Sequence, residues 1–159
     1  MAIISTVTIS MARRFDASAK QVFAAWTRPE LMKKWLFTSE ETNKAMNIDF
    51  RVGGKWEIID HRNGTDYRAI GEYLKVVEPN KIVFTFKMPQ FNDGEDTIRV
   101  TISPVLDDCE MLFTQEIAVP HEEEWTPEEV EGTIAEHRNE TEKGWSAMFE
   151  GLKQVVENK

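Results

Sequence analysis

Eight polar or ionisable residues stand inside segments that otherwise alternate between apolar and polar: Glu57, Tyr67, Arg68, Glu72, Tyr73, Arg99, Gln115 and Glu116. Any of them directed inward could orient a ligand's polar group or serve as an acid or base. Several of these segments carry apolar residues on both faces, so the pattern leaves open which side chains point inward. Outward pairing across neighbouring strands is the ordinary arrangement for such residues. Within the set, Tyr67, Arg68, Glu72 and Glu116 are the candidate polar groups of an interior site, yet no pair has a spacing that defines a reaction, and no catalytic residue is assigned. His61, His121 and His137 fall in a turn, an acidic loop and a polar helix segment, none with a second ligand at useful spacing, so no metal centre is expected. Cys109 is expected at a turn beside Asp107 and Asp108, whose charges raise a thiol pKa and leave it unreactive. Phosphate-loop, metalloprotease and nucleophile-elbow motifs do not occur, and no cofactor is expected.

A denser set is aromatic. Trp26, Trp35, Trp56, Phe84, Phe86, Phe113, Trp145 and Phe149, with Met88, Met111 and Met148, could fill a core or line a pocket with adaptable walls. The residue types alone permit both.

The elements that must position these residues can be read in chain order. From Thr6 to Phe15, Val7, Ile9, Met11 and Phe15 alternate with Thr6, Thr8, Ser10 and Arg14, the pattern of a half-buried strand. Ser18 and Gln21 have the spacing of a capping box, and Val22, Phe23 and Trp26 share the face of the helix that follows. Pro29 suits the first turn of a second short helix with Leu31, Met32, Trp35 and Leu36 at helical spacing. Phe37 to Ala45 reads as a polar loop. Six strands then follow, over roughly 46–50, 55–60, 67–77, 81–88, 96–103 and 110–118. The turns between them contain Gly53-Gly54, Arg62-Asn63-Gly64-Thr65, Glu78-Pro79-Asn80, the loop from Pro89 to Glu95, and Asp107-Asp108. Connections this short allow hairpins and exclude parallel crossovers, so an antiparallel meander is expected.

Thr126-Pro127-Glu128-Glu129 signals a further helix start. Trp145, Met148, Phe149, Leu152, Val155 and Val156 then fall on one narrow stripe of a C-terminal helix over Gly144 to Asn158. Nothing apolar lies between Ile134 and Gly144, so one long helix and two shorter ones are equally compatible with the pattern. Gly144 and Gly151 beside the stripe mark either close backbone approach or toleration. The expected fold class is α+β, with a curved seven-stranded antiparallel sheet, two short helices after strand 1, and a long C-terminal helix packed on the sheet.

Composition limits the function. A chain of 159 residues, 41% hydrophobic and 30% charged, suits one soluble domain spanning residues 1–159. No apolar run is long enough to cross a membrane and no signal peptide precedes the first strand, so a cytoplasmic location is expected. One cysteine excludes an internal disulfide framework. The net charge of −9 argues against a nucleic-acid partner. Residues 121–142 carry nine acids against one base, Arg138, which most often means a solvated helix face and otherwise an acidic docking surface.

Successive landmarks carry a family resemblance: Phe15-Asp16-Ala17, Val22-Phe23, Pro29-Glu30-Leu31 with Trp35, Gly53-Gly54-Lys55-Trp56, Gly71, Val76 to Phe84, and Gly144-Trp145 with Leu152. Their order resembles the AHSA1-like family, named for the activator of the Hsp90 ATPase, within the START-like or Bet v 1-like superfamily. The resemblance implies a helix-grip fold enclosing a hydrophobic cavity, and on that basis Trp56, Phe84, Phe86, Trp145, Met148 and Phe149 are the expected lining. A hydrophobic small molecule is the expected partner. A cyclase-like or hydrolase-like enzyme acting in the same cavity is the alternative. Homodimerisation through an edge strand or the acidic helix is compatible with the pattern. Two features depart from the family. Glu116 stands where many members place a histidine late in the strand before the final loop, and the extra N-terminal domain of chaperone activators is missing, which disfavours a chaperone partner.

Overall fold

In the computed structural model, which describes residues 2–90 and 94–157, the first alternating segment forms strand β1 (Ala2–Phe15) and buries Val7, Ile9, Met11 and Phe15. Helix α1 (Ala19–Thr27) starts on the expected capping box: the Gln21 amide donates to Ser18 Oγ at 3.1 Å, and the Ser18 amide donates to Gln21 Oε1 at 2.9 Å. Helix α2 (Pro29–Met32) is a single turn. Trp35 and Leu36, expected within it, follow in a turn and are buried all the same.

The six later strands are β2 (Asn43–Ile48), β3 (Lys55–Arg62), β4 (Thr65–Val77), β5 (Lys81–Phe86), β6 (Asp96–Val105) and β7 (Asp108–Glu122). All pairings are antiparallel, in the order β1-β7-β6-β5-β4-β3-β2. The expected meander thus covers β2 to β7, and β1 closes onto β7 from Phe15 opposite Cys109 to Ala2 opposite Glu122. That pairing carries β7 beyond the expected end at 118 and puts Cys109 inside the strand instead of at a turn. β2 begins at Asn43, within the segment read as a loop. It is an edge strand, where polar residues such as Asn43 and Lys44 are admitted and the alternation that marks a half-buried strand fades. The loop expected over Pro89 to Glu95 lies partly outside the described residues, as does Asn158 at the end of the last helix.

Helix α3 (Pro127–Glu157) is one continuous element of 31 residues, about 46 Å long at 1.5 Å per residue. Thr126 Oγ1 accepts from the Glu129 amide at 3.1 Å and Glu129 Oε1 accepts from the Thr126 amide at 3.2 Å, completing the expected box. The stretch without large apolar residues stays helical for a simple reason. It is rich in Glu, with Ala, Arg and Lys, which lose little on entering a helix, and the docked C-terminal half makes each added residue propagation and not nucleation. Trp145, Phe149, Leu152 and Val156 are buried on the sheet, while Met148 and Val155 are half-buried at the edges of the stripe. Arg13, on the inner side of β1, donates to Ser146 Oγ at 3.1 Å and lies 5.7 Å over the Phe149 ring, tying α3 to the edge of the sheet.

The concave face is filled from both ends. Trp26 on α1 is the hub of the aromatic core, with ring centroids 4.7 Å from Trp35, 6.1 Å from Phe84, 6.4 Å from Phe113, 6.1 Å from Trp145 and 6.5 Å from Phe149. Aromatic pairs favour this range. Between Trp26, Met32, Leu36, Trp56, Tyr73 and Phe84 a void of only about 10 Å³ is left, room for one water at most.

Candidate functional site

Space opens where α3 passes beyond that core. A cleft of about 430 Å³ lies between the middle of α3 and the ends of β5, β6 and β7 and opens to solvent. Such a volume suits a small organic molecule. Phe86, Met88, Ile117 and Met148 supply apolar walls, and Lys87, His137 and Glu140 stand among the polar groups around it.

One hydrogen-bonded line crosses the floor. Trp145 Nε1 donates to Gln115 Oε1 at 2.7 Å, and Gln115 Nε2 donates to Asp96 Oδ2 at 2.7 Å. The chain of causes begins in β7, where Cys109, Met111, Phe113, Gln115, Ile117 and Val119 all point inward and are buried. Gln115 is the one polar member of that row and is 3% exposed. A buried indole N–H needs an acceptor, and an amide can accept on one side while donating on the other. The second bond ends on a carboxylate, which strengthens it. The result is a fixed polar track on an apolar floor, able to orient a ligand's polar end.

Of the expected lining residues, Phe86, Trp145 and Met148 border the cleft. Phe149 is buried in the core against Phe113, at 5.3 Å between ring centroids. Trp56 and Phe84 border the small void behind it. This departs from the expected interior cavity for a physical reason: α1 inserts Trp26 between the sheet and α3, so the deep space is occupied by side chains and the open space moves toward the first half of the helix.

The four polar candidates do not meet there. Glu116 is exposed on the outer face, one residue out of phase with Gln115. Arg68 pairs with Glu57 at 2.5 Å, and both border an outer-face groove together with Glu72. Arg68, helped by Asn47, holds the Glu57 carboxyl below its ordinary value. Tyr67 lies under the Arg62 guanidinium, 4.6 Å from ring centroid to charge centre. Tyr73 is buried in the core, where desolvation pushes its hydroxyl pKa up, and Arg99 is exposed. His61 bonds Asp66 at 2.6 Å in the open, and Lys44 and His61 together lower the Asp66 pKa. Cys109 is fully buried, and burial followed by the charge of Asp108 pushes its thiol up. Among the described residues no group of three or more His, Cys, Asp and Glu could hold a metal ion, and no helix is long and apolar enough to cross a membrane.

Gly144 borders the cleft, and a Cβ built on it would meet nothing within 4 Å. Gly151, seven residues on, has a close neighbour: its Cβ would come within 3.2 Å of Trp35 Cβ. The two glycines therefore divide the two meanings open in the sequence, toleration at 144 and close approach at 151. Asp96 was missed. Its inward phase with Ile98, Val100 and Ile102 on β6 was the signal available for it.

No functionally curated protein matches the chain. Among solved structures, a protein of unknown function from Staphylococcus aureus is similar at 29% identity and a TM-score of 0.90, covering 98% of this chain and 96% of that one. A protein from Rhizobium leguminosarum is similar at 17% identity and a TM-score of 0.80, covering 100% and 99%. One from Chromobacterium violaceum is similar at 24% identity and a TM-score of 0.70, covering 94% and 97%. The last two show the fold alone. The family described as activator of Hsp90 ATPase homolog 1-like protein matches residues 16–157. With the curved antiparallel sheet and the long C-terminal helix of the helix-grip fold, that match over nearly the whole chain establishes that the protein belongs to the AHSA1 family.

Proposed function

We propose that the chain binds a small, largely hydrophobic molecule in the cleft beside α3, with the molecule's polar end turned toward Gln115 and Asp96. The observation that carries this reading is the Trp145-Gln115-Asp96 line, a hydrogen-bonded polar track on the floor of a cleft of about 430 Å³ whose apolar walls are Phe86, Met88, Ile117 and Met148. Sites of this kind obtain affinity from apolar walls and orientation from a few fixed polar groups. A catalytic role is the weaker reading, because Tyr67, Arg68, Glu72 and Glu116 lie away from the cleft and, among the described residues, no hydrogen-bonded pair of nucleophile and base stands in it.

The decisive comparison is wild type against Gly144→Trp. The glycine borders the cleft and a Cβ on it meets nothing within 4 Å, so an indole there is expected to obstruct the cleft while the core stays folded. Native mass spectrometry of protein purified from its own host should show a bound small molecule on wild type and none on Gly144→Trp, with the thermal unfolding midpoint of the variant maintained. Ligand-free wild type, or equal loading of both proteins, would overturn the reading.

A further inference from the structure

Phe37 has a backbone that side chains avoid. Its φ is 59°, in the left-handed region, where a residue with a Cβ persists only if its surroundings hold it. Two sets of contacts do so. On the chain side, the loop after Phe37 is pinned to Asp60, which is 2% exposed: Thr38 Oγ1 donates to Asp60 Oδ1 at 2.8 Å, Thr42 Oγ1 donates to the same oxygen, and Arg62 pairs with the other. On the ring side, Phe37 lies nearly parallel to Trp56, at 4° and 6.1 Å, with Phe86 at 4.8 Å and Trp145 edge-on at 5.2 Å. Its amide donates to Met148 Sδ at 3.3 Å.

The position of the ring matters more than its strain. Phe86, Trp145 and Met148 all border the cleft, whereas Trp56 borders the small void behind it. Phe37 itself borders neither, but its ring packs between residues that border one and a residue that borders the other, so vacating it would open space beside the cleft wall. Trp56 is held by its indole N–H donating to the Thr85 carbonyl at 3.2 Å, while Phe37 is only half-buried.

We propose that the Phe37 ring occupies an aromatic-ring subsite continuous with the cleft, and that it swings out when a flat aromatic ring of the ligand takes its place. The proposal rests on the cleft-binding reading and names the class of ligand for it. The geometry suits a planar ring: a parallel face on Trp56 and an edge against Trp145, the two arrangements aromatic rings prefer. Because Asp60 keeps the loop in place, the motion required is a rotation of the Phe37 side chain. A ligand that must displace the ring binds more weakly than it would to the vacated subsite, in proportion to how rarely the ring leaves on its own.

The test compares wild type, Phe37→Gly, Phe37→Leu and Gly144→Trp, with anilinonaphthalene sulfonate as the flat aromatic probe and decanoate as the aliphatic one, measured by fluorescence and calorimetry. Glycine accepts the left-handed backbone and removes the ring. Phe37→Gly should bind the aromatic probe about tenfold more tightly or better, with decanoate unchanged. Phe37→Leu should fall between, and it decides the matter if the glycine variant has a lowered unfolding midpoint. Gly144→Trp should bind neither probe. Unchanged or weaker aromatic binding by the Phe37 variants, with wild type still binding, would overturn the subsite and leave the cleft reading standing. An equal gain for both probes would overturn the aromatic specificity. Binding of neither probe by wild type or the Phe37 variants would overturn both proposals.

Discussion

Gln115 and Glu116 are adjacent in the chain and opposite in physical situation. The amide is buried and answers an indole and a carboxylate, whereas the neighbouring carboxylate is in water. Gln115→Leu keeps approximate volume and removes the acceptor of the Trp145 N–H, leaving a buried donor unsatisfied. It should destabilise the protein by about 1–3 kcal/mol, whereas Glu116→Ala should stay within about 0.5 kcal/mol. Urea unfolding of the two variants measures this, and the indole N–H resonance of Trp145 should shift in the first alone. Equal effects would mean that the phase of β7 is not as described.

Helix α3 has a docked half and a projecting half, and its glycines report the difference. At Gly144 a methyl group enters open space, so Gly144→Ala should raise stability by about 0.5–1 kcal/mol through the backbone term. At Gly151 the same methyl comes within 3.2 Å of Trp35 Cβ, and Gly151→Ala should gain less than that or lose. Chemical denaturation of the pair checks the order. Matching gains would show that the contact between α3 and the turn after α2 yields freely. The caps belong to the same scale: Ser18 starts a helix that inserts Trp26 into the core, while Thr126 starts one at its exposed end.

Stability of the molecule as a whole should fall on the alkaline side. Cys109 and Tyr73 are buried in the core, and desolvation raises both above their ordinary values of 9.0 and 10.0. Each therefore keeps its proton in the folded state at a pH where the unfolded chain releases it. The stability involved is complete below the unfolded value and is lost as pH rises above it, at up to about 1.4 kcal/mol per pH unit for each group. Urea unfolding at pH 7 and pH 10.5 should show the loss. Cys109→Ala should remove the part that begins near 9.0, and Tyr73→Phe the part that begins near 10.0. A flat profile for wild type would contradict the burial of both groups.

Local rules were enough for most of the elements. Alternation marked β1 and five of the six later strands, paired cap residues located the starts of α1 and α3, and turn residues excluded parallel crossovers. The same alternation contained the phase of Gln115, since Cys109, Met111 and Phe113 stand at even spacing before it. Edge strand β2 was blurred because an edge tolerates polar residues. Pairing of β1 with β7, insertion of Trp26 beneath α3, and the left-handed Phe37 against Trp56 join residues far apart in the chain, and no local periodicity encodes such distances. Whether the aromatic set filled a core or lined a pocket was therefore a question of three-dimensional packing. The fold divides it, with Trp26, Phe84, Phe113 and Phe149 filling the interior and Phe86, Trp145 and Met148 bordering a cleft. The division follows from where α1 ends beneath α3, which only the folded chain sets.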